Sequence, residues 1–305
     1  MIDELADRLA SSSRLRQAVE KAPAAKELVR RYVVDGSLDT LVETVKSQCD
    51  KGLKVTIDYL PKEIADSHQI GQIADSYNRI IARLADEGLA ADSELSLRLS
   101  TLGLGRLAPQ LTMVLARDIT RRAYNAGIRV CLGMEDYDQV DDVLAIHQDL
   151  RQDFPDTAVT IQANLRRSLD DLPKLVAQRA KVRICKGSYR AGRDDVWQTN
   201  LAIDQAFIYC LRIIMDAGQA PLIATHDPRI IEISEYLINH KSLEGYEFQM
   251  LSGIRPLEQR RLVDIGHQVR CYLPFGPNWL HYYIRRTLDR PQNVALFARS
   301  LLGRR

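Results

Sequence analysis

Val269-Arg-Cys-Tyr-Leu-Pro-Phe-Gly-Pro-Asn-Trp-Leu-His-Tyr-Tyr-Ile-Arg-Arg-Thr-Leu-Asp289 holds one complete structural unit. A β-type run, Val269–Pro274, passes through a Gly-Pro-Asn turn into a helical stretch carrying the adjacent pair Arg285 and Arg286. Arginine grips planar carboxylates and phosphates through paired N–H groups and stays charged where water is scarce. Tyr272, near the strand end, is placed to share a pocket with that pair. Two readings stay open at this point: a basic surface helix, or a clamp for a small anion beside an aromatic wall.

Working outward, the same strand-then-helix unit recurs along the chain. Short β-branched runs begin every 23 to 40 residues: Lys54–Pro61, Glu94–Thr101, Arg129–Glu135, Ala158–Arg166, Lys181–Ser188, Pro221–Asp227, Tyr246–Ser252 and Val269–Phe275. Between them the apolar spacing predicts helices over Ile73–Asp86, Pro109–Asn125, Asp138–Asp153, Ser168–Ala180, Trp197–Ala217, Asp227–Asn239 and Arg255–Ile265. Strands alternating with helices pair in parallel, and eight of them close a barrel. The expected fold is therefore α/β, a distorted (β/α)8 TIM barrel over residues 51–305. Residues 1–50 are read as an N-terminal helical extension, with helices over Arg14–Lys21, Ala25–Tyr32 and, after the cap-like Ser37, Leu38–Gln48. An open doubly wound sheet is the competing fold, but no GxGxxG follows an early strand.

The length fits this reading, since 305 residues accommodate a barrel of ~250 residues with an extension. A net charge of +2 and the lack of a polybasic tract argue against nucleic acid as a partner. Five cysteines without CxxC spacing indicate reduced, largely buried thiols. No apolar run suggests an integral membrane span, and the charged start MIDELADRLASSS is unlike a signal peptide. A cytoplasmic chain is expected.

A closed barrel puts its chemistry at the C-terminal strand ends. In order these offer Asp58 and Tyr59; Arg98 and Ser100; Met134, Glu135 and Asp136; Gln162 and Asn164; Arg183, Lys186 and Tyr189; Thr225, His226 and Asp227; Glu247 and Gln249; and Tyr272. So many polar groups at one end indicate an enzyme. Lys186 has three readings: a Schiff-base amine, a structural ion pair, or a cofactor contact together with Arg183, with Gly187 allowing close backbone approach. His226 suits a base, a ligand or a hydrogen-bond donor, and the scatter of the other histidines argues against a metal site. A carboxylate site of Glu135, Asp136 and Glu247 is a minor alternative. Asp227-Pro228 also reads simply as a helix cap. Asp58 and Tyr59 are read as packing groups at the barrel mouth, and Cys185 and Cys271 lack an activating partner.

Four motifs, Val182-RICKGS-Tyr189, Ala224-THD-Pro228, Tyr246-EFQMLSGIR-Pro256 and Tyr272-LPFG…YYIR-Arg286, occur in the order found in the proline dehydrogenase family. The chain resembles that family from about Val55 to Leu301. The resemblance implies FAD across the barrel mouth, with Arg183 near flavin N5 and further contacts from Met134, Gln162, Lys186, Gly187, Ser188, Thr225 and His226. It implies that Arg285 and Arg286, helped by Arg98, hold the substrate carboxylate, that Tyr272 packs on the ring, and that Tyr189 is an active-site tyrosine. The implied reaction oxidises L-proline to 1-pyrroline-5-carboxylate and passes electrons to a quinone or other acceptor, with peripheral membrane contact as an accompanying option.

The chain departs from the family pattern at several pocket positions. Arg98 stands where lysine is usual, Gly133 replaces a carboxylate, Asn164 replaces a tyrosine and Pro61 replaces a glycine. These changes open two alternatives to proline oxidation: oxidation of another cyclic amino acid, or a flavin-binding protein without catalysis.

Overall fold

Ser37 opens the first helix described in the computed structural model, which covers residues 34, 37–61, 67–187, 189 and 191–278. Its Oγ accepts from the Thr40 N–H at 3.1 Å, satisfying a donor that the first helical turn leaves over. Helix α1 (Leu38–Cys49) follows and buries Leu41, Val42 and Val45. Strand β1 (Lys54–Tyr59) and α2 (Ser67–Asp86) come next, then β2 (Ser93–Leu97) and α3 (Pro109–Asn125). The alternation continues through β3 (Arg129–Leu132), α4 (Val140–Asp153), β4 (Ala158–Gln162), α5 (Ser168–Ala177), β5 (Lys181–Cys185) and α6 (Asn200–Asp216). It ends with β6 (Leu222–Ala224), α7 (Pro228–Lys241), β7 (Glu247–Leu251), α8 (Pro256–Asp264) and β8 (Val269–Phe275).

Each strand pairs in parallel with the next, and β8 pairs with β1, so the sheet closes as the period of the sequence predicts. The barrel is uneven: β6 has three residues and β8 has seven. Several strands stop short of their expected ends. β2 ends at Leu97, and Leu99–Leu102 form a 3₁₀ turn. Leu99 and Leu102 are fully buried there, so an apolar pattern that resembles a strand extension reflects burial of a turn. Proline stands at the first turn of α3, α7 and α8, where its missing N–H costs nothing.

The period of two sorts each strand into two faces. Val55, Ile57, Leu95, Leu97, Val130, Leu132, Val159, Ile161, Val182 and Ile184 join the main apolar core with residues of the surrounding helices. The alternate positions carry Thr56, Glu94, Ser96, Arg129, Thr160, Arg183, Glu247, Gln249 and Arg270. Contacts among them run between strands that are not neighbours, β2 to β5 and β3 to β7, which places these side chains inside the barrel. Interiors of such barrels are usually filled by branched apolar residues. Here, among the described residues, Cys131, Ala158 and Leu222 form a small buried apolar group on this face.

Among the described residues no helix is long and apolar enough to cross a membrane, and no His, Cys, Asp and Glu group is arranged to hold a metal ion.

Candidate active site

The barrel interior beneath the mouth is floored by an ionic network built on two buried carboxylates, Glu94 and Glu247. Glu94 accepts from Thr56 Oγ1 at 2.8 Å, from Arg129 Nε at 2.5 Å and from Arg183 Nη2. Glu247 accepts from Arg129 Nη2 at 3.0 Å, Arg270 Nε at 2.7 Å and Gln249 Nε2 at 2.6 Å. Gln249 Oε1 in turn accepts from Arg183 Nε. Burial alone would raise the Glu94 pKa, but Arg129, Arg183 and Arg270 hold it well below the usual carboxylate range. Arg183 is therefore a buried cation fixed from two sides, and its guanidinium carbon lies 5.7 Å from the centre of the Tyr272 ring. The Tyr272 hydroxyl is 2.9 Å from Ser96 Oγ, which locates this tyrosine in the interior as well.

Above this floor, Arg98 and Asp58 form a two-pronged pair, with Nε and Nη2 each 3.0 Å from a carboxylate oxygen. Glu135 accepts from the Ser100 N–H at 2.8 Å, and burial pushes its pKa up to about 6. Gln162 ties three strand ends together: its Nε2 donates to Glu135 O at 3.0 Å, and its Oε1 accepts from the Tyr189 N–H at 3.4 Å. Met134 sits beside Cys185, with the two sulfurs 3.4 Å apart.

On the β5–β6 side, Lys186 Nζ lies 2.5 Å from Asp204 and 2.9 Å from Asp227. This ion pairing favours the structural reading of the lysine over the Schiff-base one. Asp227 also caps α7, its Oδ1 accepting from Arg229 N at 3.0 Å, so the helix-cap reading of Asp227-Pro228 holds. Thr225 Oγ1 accepts from the Asp227 N–H at 3.2 Å. His226 Nε2 accepts from the Leu251 N–H at 2.8 Å, so a neutral ring carries its proton on Nδ1. Gly187 has φ +86°, and a Cβ there would overlap Asn164 Oδ1. That oxygen is buried and has no hydrogen-bond partner among the described residues, as is the case for Trp197 Nε1.

The chain that builds this assembly has known relatives. A sequence profile for proline dehydrogenase matches residues 41–295. Proline dehydrogenase 1 of Bacillus subtilis subsp. natto is 32% identical over 284 residues, covering 92% of this chain and 93% of that protein. The chain belongs to the proline dehydrogenase family. Proline dehydrogenase of Deinococcus radiodurans is 29% identical over 310 residues, covering 99% of each chain. In three dimensions, the fold matches proline utilization A from Bdellovibrio bacteriovorus inactivated by N-propargylglycine, with a TM-score of 0.81 and 18% identity. That match covers 90% of this chain and 34% of the other, so this chain spans about a third of the larger protein. By family the protein is a proline dehydrogenase-like oxidoreductase.

Within this family member, the structure brings Arg183, Tyr272 and Gln249 into the barrel interior and Arg98, Met134, Gln162, Lys186, Gly187, Tyr189, Thr225 and His226 to its C-terminal end. Ser188, Trp279, Arg285 and Arg286 lie outside the described residues, as do Arg14–Lys21 and Ala25–Tyr32. Glu247 requires a correction. It is the first residue of β7, so it lies at the opposite end from Glu135 and Asp136 and cannot share a carboxylate site with them. The sequence reading missed Glu94, Arg129, Arg270, Thr56 and Ser96. Their signal was present, since polar residues alternate with apolar ones in VTID, ELSLR and EFQM, and an arginine stands among the apolar residues of RVCL, VRIC and VRCY. Gly133 and Asn164 also gain a context: neither small side chain simply enlarges the mouth. The space above Gly133 is filled by the Arg98 stem, and Asn164 packs over Gly187.

Proposed function

We infer that the protein is an FAD-dependent dehydrogenase that oxidises L-proline to 1-pyrroline-5-carboxylate and delivers the electrons to a quinone or another acceptor. The observation carrying this reading is Arg183, a buried guanidinium fixed by Glu94 and Gln249 against the Tyr272 ring. The mouth suits a flavin nucleotide in three respects. Gly187 lets Asn164 pack against the backbone beyond β5, which sets the Asn164 amide at the mouth. Asn164 offers a buried acceptor without a protein donor among the described residues. Lys186 and Arg183 bring two cations, each ion-paired within the protein, to β5 and its end, and His226 follows β6 with its proton on Nδ1. Gln162, Met134, Thr225 and Ser188 complete the set assigned to the cofactor.

Bound flavin supplies the two-electron acceptor chemistry; the chain supplies position and charge. Arg183 presents a cation that needs no reorganisation, because its two hydrogen bonds are already made in the protein. Tyr272 gives the substrate ring an apolar wall, and Arg285 with Arg286 is assigned to the carboxylate. Holding both ends of a small amino acid converts a chance encounter into an oriented one. Tyr189, tied to Gln162 through its backbone, is assigned to the same pocket.

The purified protein is expected to be yellow or to take up added FAD, and to bleach near the flavin maximum on anaerobic mixing with L-proline. A protein that stays colourless in excess FAD rejects the reading. A second reading, oxidation of another cyclic amino acid, draws support from the Arg98–Asp58 pair, which engages a guanidinium expected to face the substrate. Flavin that is reduced by other cyclic amino acids but not by proline would favour it.

A further inference from the structure

Gly133 follows β3, and nothing in its own backbone asks for glycine. It is not among the glycines with positive φ, so other residues could adopt its conformation. Space is what forbids a side chain. A Cβ at this position lies 2.9 Å from Arg98 Cγ, 3.7 Å from Leu97 O and 3.8 Å from Arg98 Cα. Cγ belongs to the stem of the arginine, so relieving this contact turns χ1 and carries the guanidinium with it. Gly133 cannot back away either, because its N–H donates to Leu97 O at 2.9 Å. From this rotamer Arg98 reaches Asp58 with two parallel hydrogen bonds of 3.0 Å. Asp58 is only 1% exposed, so a carboxylate there without its guanidinium would be a buried, unpaired charge.

We propose that Gly133 is a specificity-determining position that acts through Arg98. Its missing side chain keeps open the rotamer in which Arg98 neutralises Asp58, and this sets the charge that a substrate carboxylate meets at the pocket wall. Gly133 is a positioning residue in this scheme; Arg98 is the group that faces the pocket. The claim rests on the reading of the mouth as a substrate pocket for a cyclic amino acid.

The test is a double-mutant cycle on the holoenzyme: wild type, Gly133→Ala, Arg98→Ala and the double variant. Displacing the guanidinium from Asp58 leaves a negative charge near the bound carboxylate. Gly133→Ala should therefore raise KM for L-proline about tenfold, hold kcat within about twofold and lower the urea midpoint. In the Arg98→Ala background the same substitution should change neither KM nor the midpoint. An effect of equal size in both backgrounds overturns the proposal, as does a fall in kcat at constant KM. If the wild-type protein does not turn over proline, the functional reading fails by itself. The unfolding cycle still judges the pair, and additive midpoint changes there overturn the coupling.

Discussion

Glu94 joins β1, β3 and β5 through a single carboxylate, and its removal should be felt more than that of any exposed charge. Thr56, Arg129 and Arg183 all donate to it. Surface ion pairs contribute ~0–1 kcal/mol, whereas stripping one partner from a buried pair costs roughly 3–5 kcal/mol. Glu94→Gln is expected to destabilise the protein by about 3–5 kcal/mol in urea unfolding. It should also weaken FAD binding, because Arg183 loses one of its two anchors. Unchanged stability would mean that the arginines find other partners. Individual residues such as Arg183 and Tyr272 were legible in the sequence; the acid that anchors Arg183 was not. A glutamate in a β run looks like a solvent-facing residue until the opposite strand is known.

At the level of elements, the β6–α7 junction shows how capping and the mouth are linked. Asp227 accepts from Arg229 N, pairs with Lys186 and is itself held by the Thr225 hydroxyl through its N–H. Burial would raise its pKa, but Arg229 and Lys186 keep it well below the usual carboxylate range. Asp227→Ala removes an N-cap, for a cost of ~1 kcal/mol within a range of about 0.5–2. It also frees one side of Lys186. We expect a small loss of stability together with a larger loss of FAD affinity, measured by fluorescence titration of the apoprotein. Equal retention of affinity would separate the cap from the mouth. The sequence marked this helix start correctly, because Asp-Pro is a local signal. It overran β2 and β4 because buried turns carry the same apolar residues as strands.

For the whole molecule, two buried groups with opposite signs shape the response to pH. His147 donates from Nε2 to Thr157 O at 3.0 Å, and burial pulls its pKa from 6.5 down to about 4. The unfolded chain binds that proton first, so stability falls as pH drops from 6.5 toward 4, by about 3 kcal/mol. Glu135 is raised from 4.5 to about 6, so the folded chain keeps its proton longer and stability falls as pH rises across that interval, by about 2 kcal/mol. In unfolding curves of the apoprotein, His147→Gln should flatten the acid-side loss. Glu135→Gln should match wild type near pH 4.5 and exceed it by about 2 kcal/mol above pH 6. Parallel curves for wild type and both variants would reject these assignments. The count of eight strands and their alternation with helices were legible in the sequence, because side-chain period and segment length are local properties; closure of the barrel was the expectation that the β8–β1 pairing bears out. The pairing of Glu94 with Arg183, the placement of Glu247 at the far end and the hold of Gly133 on Arg98 were decided only by the tertiary structure. Each depends on which side chains meet across a closed barrel, and that distance is set by curvature and register rather than by any neighbour along the chain.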